Sequence, residues 1–377
     1  MSEWKKTSLR DLIVIKNGKD HKKLKNGQYP VYGSGGIMRY ADSYLYDQES
    51  VLLPRKGTLN NIQFVTEPFW TVDTCYYTVV NRDKVLPYFL YCCLCKMDIQ
   101  SLNTGSAVPS MTFEKYYSIE VPYPPLSTQH RIASILSRYD SLIENYQKQI
   151  KLLEEAAQRL YKEWFIDLRF PGHENTKIVD GLPEGWENKK ISDVCETVGG
   201  GTPSTKVPAY YKGGRIKWVT PTDITRNNCI CLLDTDKKIT EEGLRNSSTK
   251  MVPAGTILMT SRASVGYFGI ADFEVCTNQG FISCIPIPNM QMYLLFNLMS
   301  RVDEIRQKAG GSTYLEISKS VFRNFDIVCP SEIILLQFQD KASLVLKKEK
   351  TLSLQLRLLT EARDRLLPKL MNGEITV

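Results

Sequence analysis

The second half of this 377-residue chain restates the first half, and this internal repeat limits the folds that the chain can adopt. At an offset of about 206 residues, Val51-Leu-Leu-Pro-Arg55-Lys56-Gly57-Thr58 parallels Ile257-Leu-Met-Thr-Ser261-Arg262-Ala263-Ser264. Further on, Leu152-Leu-Glu-Glu-Ala-Ala-Gln-Arg-Leu160 and Leu358-Leu-Thr-Glu-Ala-Arg-Asp-Arg-Leu366 share six of nine positions. A period of this length indicates duplication of a whole domain rather than a short solenoid repeat.

Two further matches occur in the same order along the chain. Trp4 with Leu9 and Asp11 matches Trp186 with Ile191 and Asp193, at a local offset of 182. Gly105-Ser-Ala-Val-Pro-Ser110, ending at Pro122, matches Gly310-Gly-Ser-Thr-Tyr-Leu315, ending at Pro330. The apolar patterns predict strands over 51–54 and 257–260, and a closing strand in each half over 118–121 and 324–328.

A heptad pattern follows Pro122-Tyr-Pro-Pro125 and predicts one helix over 127–165, with Ser127 as its N-cap. The companion positions Ile135, Leu142 and Ala156 are also apolar, although Gln149 interrupts them. The residues that recur every seven positions, and that we expect to pair with another helix or a partner subunit, are Ile132, Tyr139, Tyr146, Leu153 and Leu160.

A second heptad pattern predicts a matching helix, which Pro368 and then Asn372-Gly373 bring to an end. Two interpretations remain open, because the helices either pack on each other or each cover their own domain. Pseudo-two-fold related helices would run antiparallel, and about 35 residues at ~1.5 Å each span roughly 50 Å. The recurring residues are Phe338, Val345, Leu352, Leu359 and Leu366, with mostly polar companions at Lys341, Lys348 and Gln355.

These patterns predict an α/β (α+β) fold with an internal pseudo-two-fold repeat. Two mixed domains over 1–125 and 171–330 would each be followed by a long helix, over 126–170 and 331–377, and the helices would form an antiparallel coiled coil. Phe170-Pro-Gly-His-Glu-Asn-Thr is the expected linker between the halves.

Composition narrows the functional classes. Hydrophobic residues make up 42% and charged residues 24% of the chain, with no run of eighteen uncharged apolar residues, so we expect no membrane span. The start, Met1-Ser-Glu-Trp-Lys-Lys, lacks the apolar stretch of a secretory signal, which predicts a cytoplasmic protein. The formal charge of +7 permits DNA binding without requiring it.

The ten cysteines are expected to be reduced thiols in the cytoplasm. Only Cys92-x-x-Cys95 has the spacing of metal ligands, and there is no second such pair. It lies in the apolar stretch 87–95, for which we predict a helix. Core packing therefore explains it better than a metal site, and we predict no metal.

Loops rich in Gly, Ser, Thr, Lys and Arg in both halves are candidates for DNA contact. Basic side chains pair with phosphates or guanine edges, and hydroxyls donate to either the backbone or a base. Arg55, Lys56 and Arg262 are singled out because basic residues recur at matching places in both halves. The candidates are Ser34, Arg39, Arg55, Lys56, Thr58, Thr202, Ser204, Lys206, Thr220, Thr222, Ser261, Arg262 and Ser264.

No catalytic constellation is evident. The chain lacks the Asn/Asp-Pro-Pro-Tyr/Phe motif of amine methylation, a Walker motif and HExxH, and Pro122-Tyr-Pro-Pro125 lacks the required acid or amide. His21, His130 and His173 have no evident Ser or Cys partner. We therefore predict no catalytic residue and no cofactor in this chain, while a nuclease site of scattered carboxylates stays an alternative.

Several local motifs resemble those of the specificity subunit of type I restriction-modification systems. The most specific is Pro124-Pro125-Leu126-x-x-Gln129-x-x-Ile132-Ala133-x-Ile135-Leu136, which is similar to the opening of the family's spacer helix. The first half departs from the family pattern at Pro54-Arg55-Lys56-Gly57, and Pro330-Ser-Glu-Ile-Ile-Leu-Leu-Gln337 has diverged. Further similar segments are Leu182-Pro183-Glu-Gly-Trp186, Gly201-Thr202-Pro203-Ser204, Gly255-Thr-Ile-Leu258, Thr277-Asn278-Gln279-Gly280 and Leu366-Leu-Pro-Lys-Leu-Met-Asn-Gly-Glu-Ile375.

The resemblance implies that each mixed domain is a target-recognition domain, which reads half of a bipartite double-stranded DNA target in the major groove. It implies that the helices set the unread gap and dock two adenine methyltransferase (modification) subunits. These would bind S-adenosylmethionine and flip the adenine, and restriction/translocase subunits using ATP and Mg would join for host defence. This chain itself would be non-catalytic.

Two alternatives remain at this stage. A stand-alone sequence-specific nuclease or methyltransferase would cut or methylate DNA as a purified chain. A coiled-coil scaffold without DNA binding would be indifferent to replacement of Arg55, Lys56 and Arg262.

Overall fold

The structure, a computed structural model, describes residues 4–105, 107–227, 229–311 and 314–377. The repeat match between 105–110 and 310–315, and the start of the chain, therefore fall partly outside the described residues, at Met1, Ser2, Glu3, Ser106, Ser312 and Thr313. Two units result: unit 1 is Met1–Ile143 with Leu358–Val377, and unit 2 is Glu144–Arg357. The unit boundaries fall inside the two long helices.

Unit 1 contains three small sheets. Its strands are β1 (Lys6–Ser8), β2 (Ile13–Lys16), β3 (Asn26–Gly33), β4 (Gly36–Ala41), β5 (Ser50–Pro54), β6 (Gln63–Val65), β7 (Trp70–Thr71), β8 (Cys75–Val80) and β9 (Glu120–Pro122). They pair in the orders β2-β8-β5-β6, β4-β3-β7 and β1-β9. All five residues of β5 are buried, because this strand lies inside its sheet under a helix.

Helices α1 (Pro87–Cys95), α2 (Phe113–Tyr117) and the first part of α3 (Leu126–Tyr161) cover the sheets of unit 1. The predicted apolar helix around Cys92 is confirmed as α1, and its residues Phe89 and Leu90 are fully buried. The same core contains Ile132 and Leu136 of α3 and Leu370 of the C-terminal helix. One hydrophobic cluster thus joins the main sheet to the first part of α3 and to the end of the C-terminal helix.

Unit 2 repeats this plan with longer loops. Its strands are β10 (Ile178–Val179), β11 (Leu182–Pro183), β12 (Glu187–Lys190), β13 (Cys195–Gly199), β14 (Ile216–Val219), β15 (Cys231–Leu232), β16 (Lys237–Ile239), β17 (Met251–Val252), β18 (Ile257–Thr260), β19 (Phe268–Ala271), β20 (Val275–Thr277), β21 (Phe281–Pro286) and β22 (Asp326–Cys329). They pair in the orders β13-β21-β18-β19-β15, β16-β14-β20-β17, β12-β22 and β10-β11.

The helices of unit 2 are α4 (Ile191–Val194), α5 (Pro221–Thr225), α6 (Glu241–Arg245), α7 (Gln291–Ser300), α8 (Val302–Lys308), α9 (Lys319–Arg323) and α10 (Glu332–Met371), with the last part of α3. Its main core contains Tyr161 of α3, Phe296 of α7 and Phe338 of α10. Phe170, placed by the sequence in a linker, is 4% exposed and packs on Trp186, with ring centroids 5.1 Å apart. The linker prediction was wrong for this residue, because its ring completes the core.

The sheet topology confirms the duplication strand by strand. The antiparallel order β2-β8-β5-β6 corresponds to β13-β21-β18-β19, and β1 with β9 corresponds to β12 with β22. The parallel pairing of β3 with β7 recurs in β14 with β20. Strands 51–54 and 257–260 match β5 and β18, whereas the closing strands begin two residues later than predicted.

A close backbone approach recurs at the same place in both units. A Cβ on Gly18 would lie 2.0 Å from the carbonyl oxygen of Val72, and a Cβ on Gly200 would lie 1.9 Å from that of Asn278. Both glycines follow the first strand of the main sheet, β2 or β13. Only glycine allows the two loops to meet this closely.

Helices α3 and α10 pack on each other within each unit and run antiparallel. In unit 1, the Arg363 guanidinium donates to Asp140 at 2.9 Å, and Arg131 donates to the carbonyl of Val377 at 3.1 Å. In unit 2, the Tyr161 and Phe338 ring centroids lie 6.3 Å apart. The prediction of mutual packing is confirmed, and both helices also cover their own domains.

The buried seam of α3 differs by one residue from the predicted companion positions. Leu142 is 38% exposed and Ala156 is exposed, whereas Ile143 and Ala157 are buried. The recurring residues are buried at Ile132, Phe338 and Leu352 and half-buried at Tyr139, Tyr146, Leu153, Leu160, Val345, Leu359 and Leu366. The buried stripe of each helix is wider than a simple heptad seam, because each helix contacts both the other helix and the sheets of a domain.

The helix ends also differ from expectation. Helix α3 begins at Leu126, so Ser127 lies in its first turn rather than at the N-cap, and a π-helical turn, Lys162–Ile166, follows its end at Tyr161. Pro368 does not end α10, which continues to Met371, and Gly373 then adopts a φ of 74°. In the described residues, no helix is both long and apolar enough to cross a membrane.

Two carboxyl groups, those of the half-buried Glu154 and the buried Glu349, tie both helices of unit 2 to β15 and to the residue before it. Glu154 of α3 accepts from the backbone N–H of Ile230 at 2.7 Å, and Glu349 of α10 accepts from that of Cys231 at 2.8 Å. Burial raises the pKa of Glu349 to about 7, and the neighbouring Glu154 adds to the rise.

We expect Gly200→Ala to lower the stability of unit 2 by about 1–3 kcal/mol, because the added methyl group overlaps the Asn278 carbonyl. Thermal unfolding measures the loss. Gly310→Ala is the matched control, since no atom lies within 4 Å of its added Cβ. Equal stability of the two variants would contradict the close approach.

We expect the stability of the protein to fall as the pH rises from about 4.5 to 7, by at most roughly 3 kcal/mol, because only the folded state keeps the Glu349 proton. Glu349→Gln keeps an oxygen acceptor for Cys231 and abolishes the titration. Unfolding midpoints at pH 5 to 8 test this, with the exposed Glu361→Gln as control. A Glu349→Gln profile parallel to that of the wild type would contradict it.

Candidate nucleic-acid interface

In unit 2, loops gather where neighbouring strands of the main sheet end. Thr260, the last residue of β18, pairs with Phe281, and Gly199, the last residue of β13, pairs with Ile282. The loops that follow β13 and β18 and precede β21 therefore leave the sheet at one edge. We call this the reading edge of unit 2.

The turn after β18 holds Arg262 at this edge. Ala263 adopts a left-handed φ of 62°, and its N–H donates to Leu315 at 2.9 Å. The backbones of Arg262 and Glu316 form an isolated antiparallel β-bridge. The Glu316 carboxylate lies 3.6 Å from the Arg262 guanidinium. The arginine is exposed, and its Nε lies nearest the Glu316 carboxylate, which leaves its two terminal nitrogens as donors for a ligand.

A second feature of this edge is a hydrogen bond between two exposed side chains, on the two loops that meet where Gly200 approaches Asn278. The Thr202 hydroxyl donates to the side-chain oxygen of Gln279. The backbone behind them is fixed, because Gly201 donates to Thr277 at 2.9 Å. With its oxygen engaged, Gln279 presents its two N–H donors.

Unit 1 has a corresponding reading edge after β5. The backbones of Lys56 and Ser110 form an antiparallel β-bridge like that between Arg262 and Glu316. Each residue of the second pair lies 206 positions after its counterpart in the first pair. Met111 donates to the Arg55 carbonyl at 2.9 Å. Arg55 is half-buried, lies over the Tyr76 ring at 5.8 Å and donates to the Asp73 carbonyl at 3.4 Å.

The tip of the β3–β4 hairpin completes the edge of unit 1. Asn61 donates through Nδ2 to the Ser34 carbonyl at 2.8 Å, and Gln63 donates to that of Gly33 at 3.3 Å. A Cβ on Gly57 would lie 3.2 Å from the Ser34 hydroxyl. The structure thus brings Ser34 together with the turn that bears Arg55, Lys56 and Thr58.

Three predicted contact residues have other roles. Ser261 is 3% exposed and its backbone joins two loops, so its hydroxyl does not face a ligand. Thr220 caps α5, with its hydroxyl donating to Asp223 at 2.7 Å. Arg39 donates to the Leu24 carbonyl and to Asn26 at 3.0 Å each, and thus holds a neighbouring loop.

The other candidates are accessible. Lys56, Thr58, Thr202, Ser204, Lys206, Thr222, Arg262 and Ser264 are exposed. Sequence reasoning missed Gln279, Asn61 and Lys319, whose Nζ would lie 2.9 Å from a Cβ on Gly199. Gln279 lay within a quoted motif, but nothing local in the sequence marks Asn61 or Lys319.

The chemistry of both edges is that of hydrogen-bond donation and positive charge. Among the described residues, no three His, Cys, Asp or Glu side chains form a metal-binding group. Cys92 packs in the core of unit 1 at 4% exposure, and burial raises its pKa to about 12. Arginine, lysine and amide donors on fixed loops suit phosphate oxygens and base edges.

Comparison with known proteins places these features in a family. The profile of the type I restriction modification DNA specificity domain matches residues 1–155 and 183–343. The chain is 39% identical over 153 residues to the MjaIX specificity subunit of Methanocaldococcus jannaschii, covering 40% of this chain and 35% of that protein. It is 25% identical over 364 residues to the HindI specificity subunit of Haemophilus influenzae, covering 78% and 79%.

A solved structure has the same fold. The type I restriction-modification S subunit from M. genitalium superposes with a TM-score of 0.66 and 17% identity, covering 98% of this chain and 96% of that one. The MjaIX alignment spans about a third of that relative's length, whereas the HindI alignment spans most of it. Because the two profile matches cover well over half of the sequence and each falls on one copy of the repeat, the chain belongs to the family of the type I restriction modification DNA specificity domain.

Proposed function

We propose that this chain is the DNA-specificity subunit of a type I restriction-modification enzyme, in which each reading edge recognises half of a bipartite target. The observation that carries the proposal is the recurrence of the edge. Lys56 with Ser110 and Arg262 with Glu316 occupy the same place in two copies of one sheet, with different side chains. Equivalent frames with different side chains suit two half-sites of different sequence.

Base reading is assigned to the fixed, exposed donors. Arg262 can donate two parallel hydrogen bonds to a guanine, and the free N–H groups of Gln279 can donate to a base acceptor in the major groove. In unit 1, Lys56 and Thr58 flank the hairpin tip at Ser34. The exposed Ser204, Thr222 and Ser264 are further candidates for base contact, and the exposed Lys206 is a candidate for DNA contact.

The recognition domains in this proposal are residues 1–125 and 171–330, and residues 126–170 and 331–377 are spacer helices. The spacers set the unread gap, and their exposed faces dock two adenine methyltransferase subunits. Those subunits supply S-adenosylmethionine, and restriction/translocase subunits supply the ATP- and Mg-dependent steps. This chain selects the DNA sequence and contributes no catalytic group. The complex acts in the cytoplasm.

The alternatives predict different behaviour. A stand-alone nuclease or methyltransferase would act on DNA without partners, and a scaffold would bind no duplex. Among the described residues, no group of three or more His, Cys, Asp or Glu side chains could hold a metal ion.

Arg262→Ala should weaken binding to the complete target by about 10- to 100-fold, which corresponds to 1–3 kcal/mol for a base contact. Titration of the complex with modification subunits against duplexes that differ in one half-site measures the effect. Arg10→Ala is the control, because Arg10 is exposed and precedes β2, whose other end carries the reading edge of unit 1. Equal affinity of wild type and Arg262→Ala for every duplex would remove Arg262 from the interface.

Inserting one heptad in each helix, after Ile150 and after Leu352, should lengthen the preferred gap. Seven residues add about 10 Å of helix, or roughly three base pairs. Mapping of methylated adenines measures the gap, and a seven-residue insertion after Gly172, whose surroundings are open, is the control. An unchanged gap in a folded double-insertion variant would contradict the ruler role.

A further inference from the structure

We propose that residues 16–25 of unit 1 form a lysine clamp that binds the phosphate backbone of duplex DNA, without reading sequence, beside the reading edge. Residues 206–215 of unit 2 take the same role. The inference rests on the proposed function, because it assumes that the reading edges face DNA. It adds a division of labour between loops that anchor and loops that read.

Strand register places the lysine clamp at the reading edge. Lys16, at the end of β2, pairs with Tyr77, and Pro54, at the end of β5, pairs with Cys75. Both ends lie at the same side of the sheet, since β8 joins them. The clamp therefore leaves the sheet next to the turn that carries Arg55.

The backbone of the clamp is held in place. Lys19 donates its N–H to the Thr71 carbonyl at 2.8 Å, and the Trp70 indole donates to the Lys19 carbonyl at 2.9 Å. Lys25 and Asp42 exchange two hydrogen bonds of 3.1 Å each. A fixed backbone reduces the ordering cost of binding to that of the side chains.

Arg39 holds the far end of the clamp. Its guanidinium donates to the Leu24 carbonyl and to the Asn26 side chain, at 3.0 Å each. Leu24 packs on a small core that contains Val31 and Val72. The role of Arg39 is therefore to position the neighbouring lysines rather than to touch DNA.

The charge of this segment is concentrated and accessible. Residues 16–42 contain five lysines and Arg39 against two aspartates, a net charge of +4, while the whole chain carries +7. Lys16, Lys19, Lys22, Lys23 and Lys25 are all exposed, and no ion pair of the described residues includes them. The backbone N–H of Lys22 lowers the pKa of Asp20, so that carboxylate is satisfied locally. Lysine acts as a point charge that suits phosphate better than a base edge.

The same placement recurs in unit 2. The segment that follows β13 leaves at the reading edge and carries Lys206, Lys212 and Arg215, all exposed. Lys217, next along the chain, is instead paired with Asp234 at 3.5 Å. In both units, therefore, an exposed basic segment follows the first strand of the main sheet.

The test uses the complex with its modification subunits, and measures duplex affinity over a series of salt concentrations. The variant Lys22→Ala/Lys23→Ala/Lys25→Ala should reduce the slope of log affinity against log salt by about 0.9 for each phosphate that the protein no longer neutralises. Affinities for the target and for a scrambled duplex should fall by the same factor. The control Lys5→Ala/Lys6→Ala/Lys84→Ala removes three charges near Tyr123, at the opposite end of unit 1.

Two results would overturn the lysine clamp. An unchanged salt slope would show that these lysines only face solvent. An affinity decrease confined to the target duplex would assign them to base reading instead. Failure of the proposed function is separate, because it would appear as a wild-type complex that binds target and scrambled duplexes equally at every salt concentration.

Discussion

The packing of α3 against α10 is the interaction on which both units depend. In unit 1, Leu136 of α3 and Leu370 of α10 belong to one buried cluster with the sheet, and in unit 2 Tyr161 and Phe338 do the same. Each unit therefore completes its core with a helical segment from the other copy of the repeat. Burial of one large apolar side chain contributes about 1.5–3 kcal/mol, so neither copy is expected to be stable as a contiguous piece. The hydrogen bonds of Glu154 and Glu349 to the backbone of Ile230 and Cys231 add a polar link, and loss of the Glu349 proton lowers the stability as the pH rises to neutral.

The two reading edges have a similar backbone arrangement but different side chains. The loops meet through Gly18 and Gly200, where a methyl group would not fit. The bridge that holds Lys56 in unit 1 holds Arg262 in unit 2. Side chains at such positions can change without disturbing the sheet, because the sheet supplies the geometry and the loop residues supply the chemistry. Under the proposed function, this arrangement lets the two domains recognise different bases.

Much of the fold follows from sequence pattern. The duplication, strands β5 and β18, helix α1 and the antiparallel helices could all be predicted, since apolar periodicity reports which faces are buried. The one-residue shift of the α3 seam, from Leu142 to Ile143, could not, because that helix contacts a sheet as well as α10. The site was less accessible. Ser261 is buried, and Arg39 donates to the carbonyl of Leu24 in a neighbouring loop. Contacts of this kind depend on how the chain folds back on itself and leave no local signal in the sequence.

The most direct test of the account is a genome-wide map of methylated adenines in cells that express this chain together with its modification subunit. The account predicts methylation within a two-part motif separated by a fixed unread gap, and none when this chain is omitted. Methylation of the same adenines by the modification subunit alone would contradict the claim that this chain selects the DNA sequence.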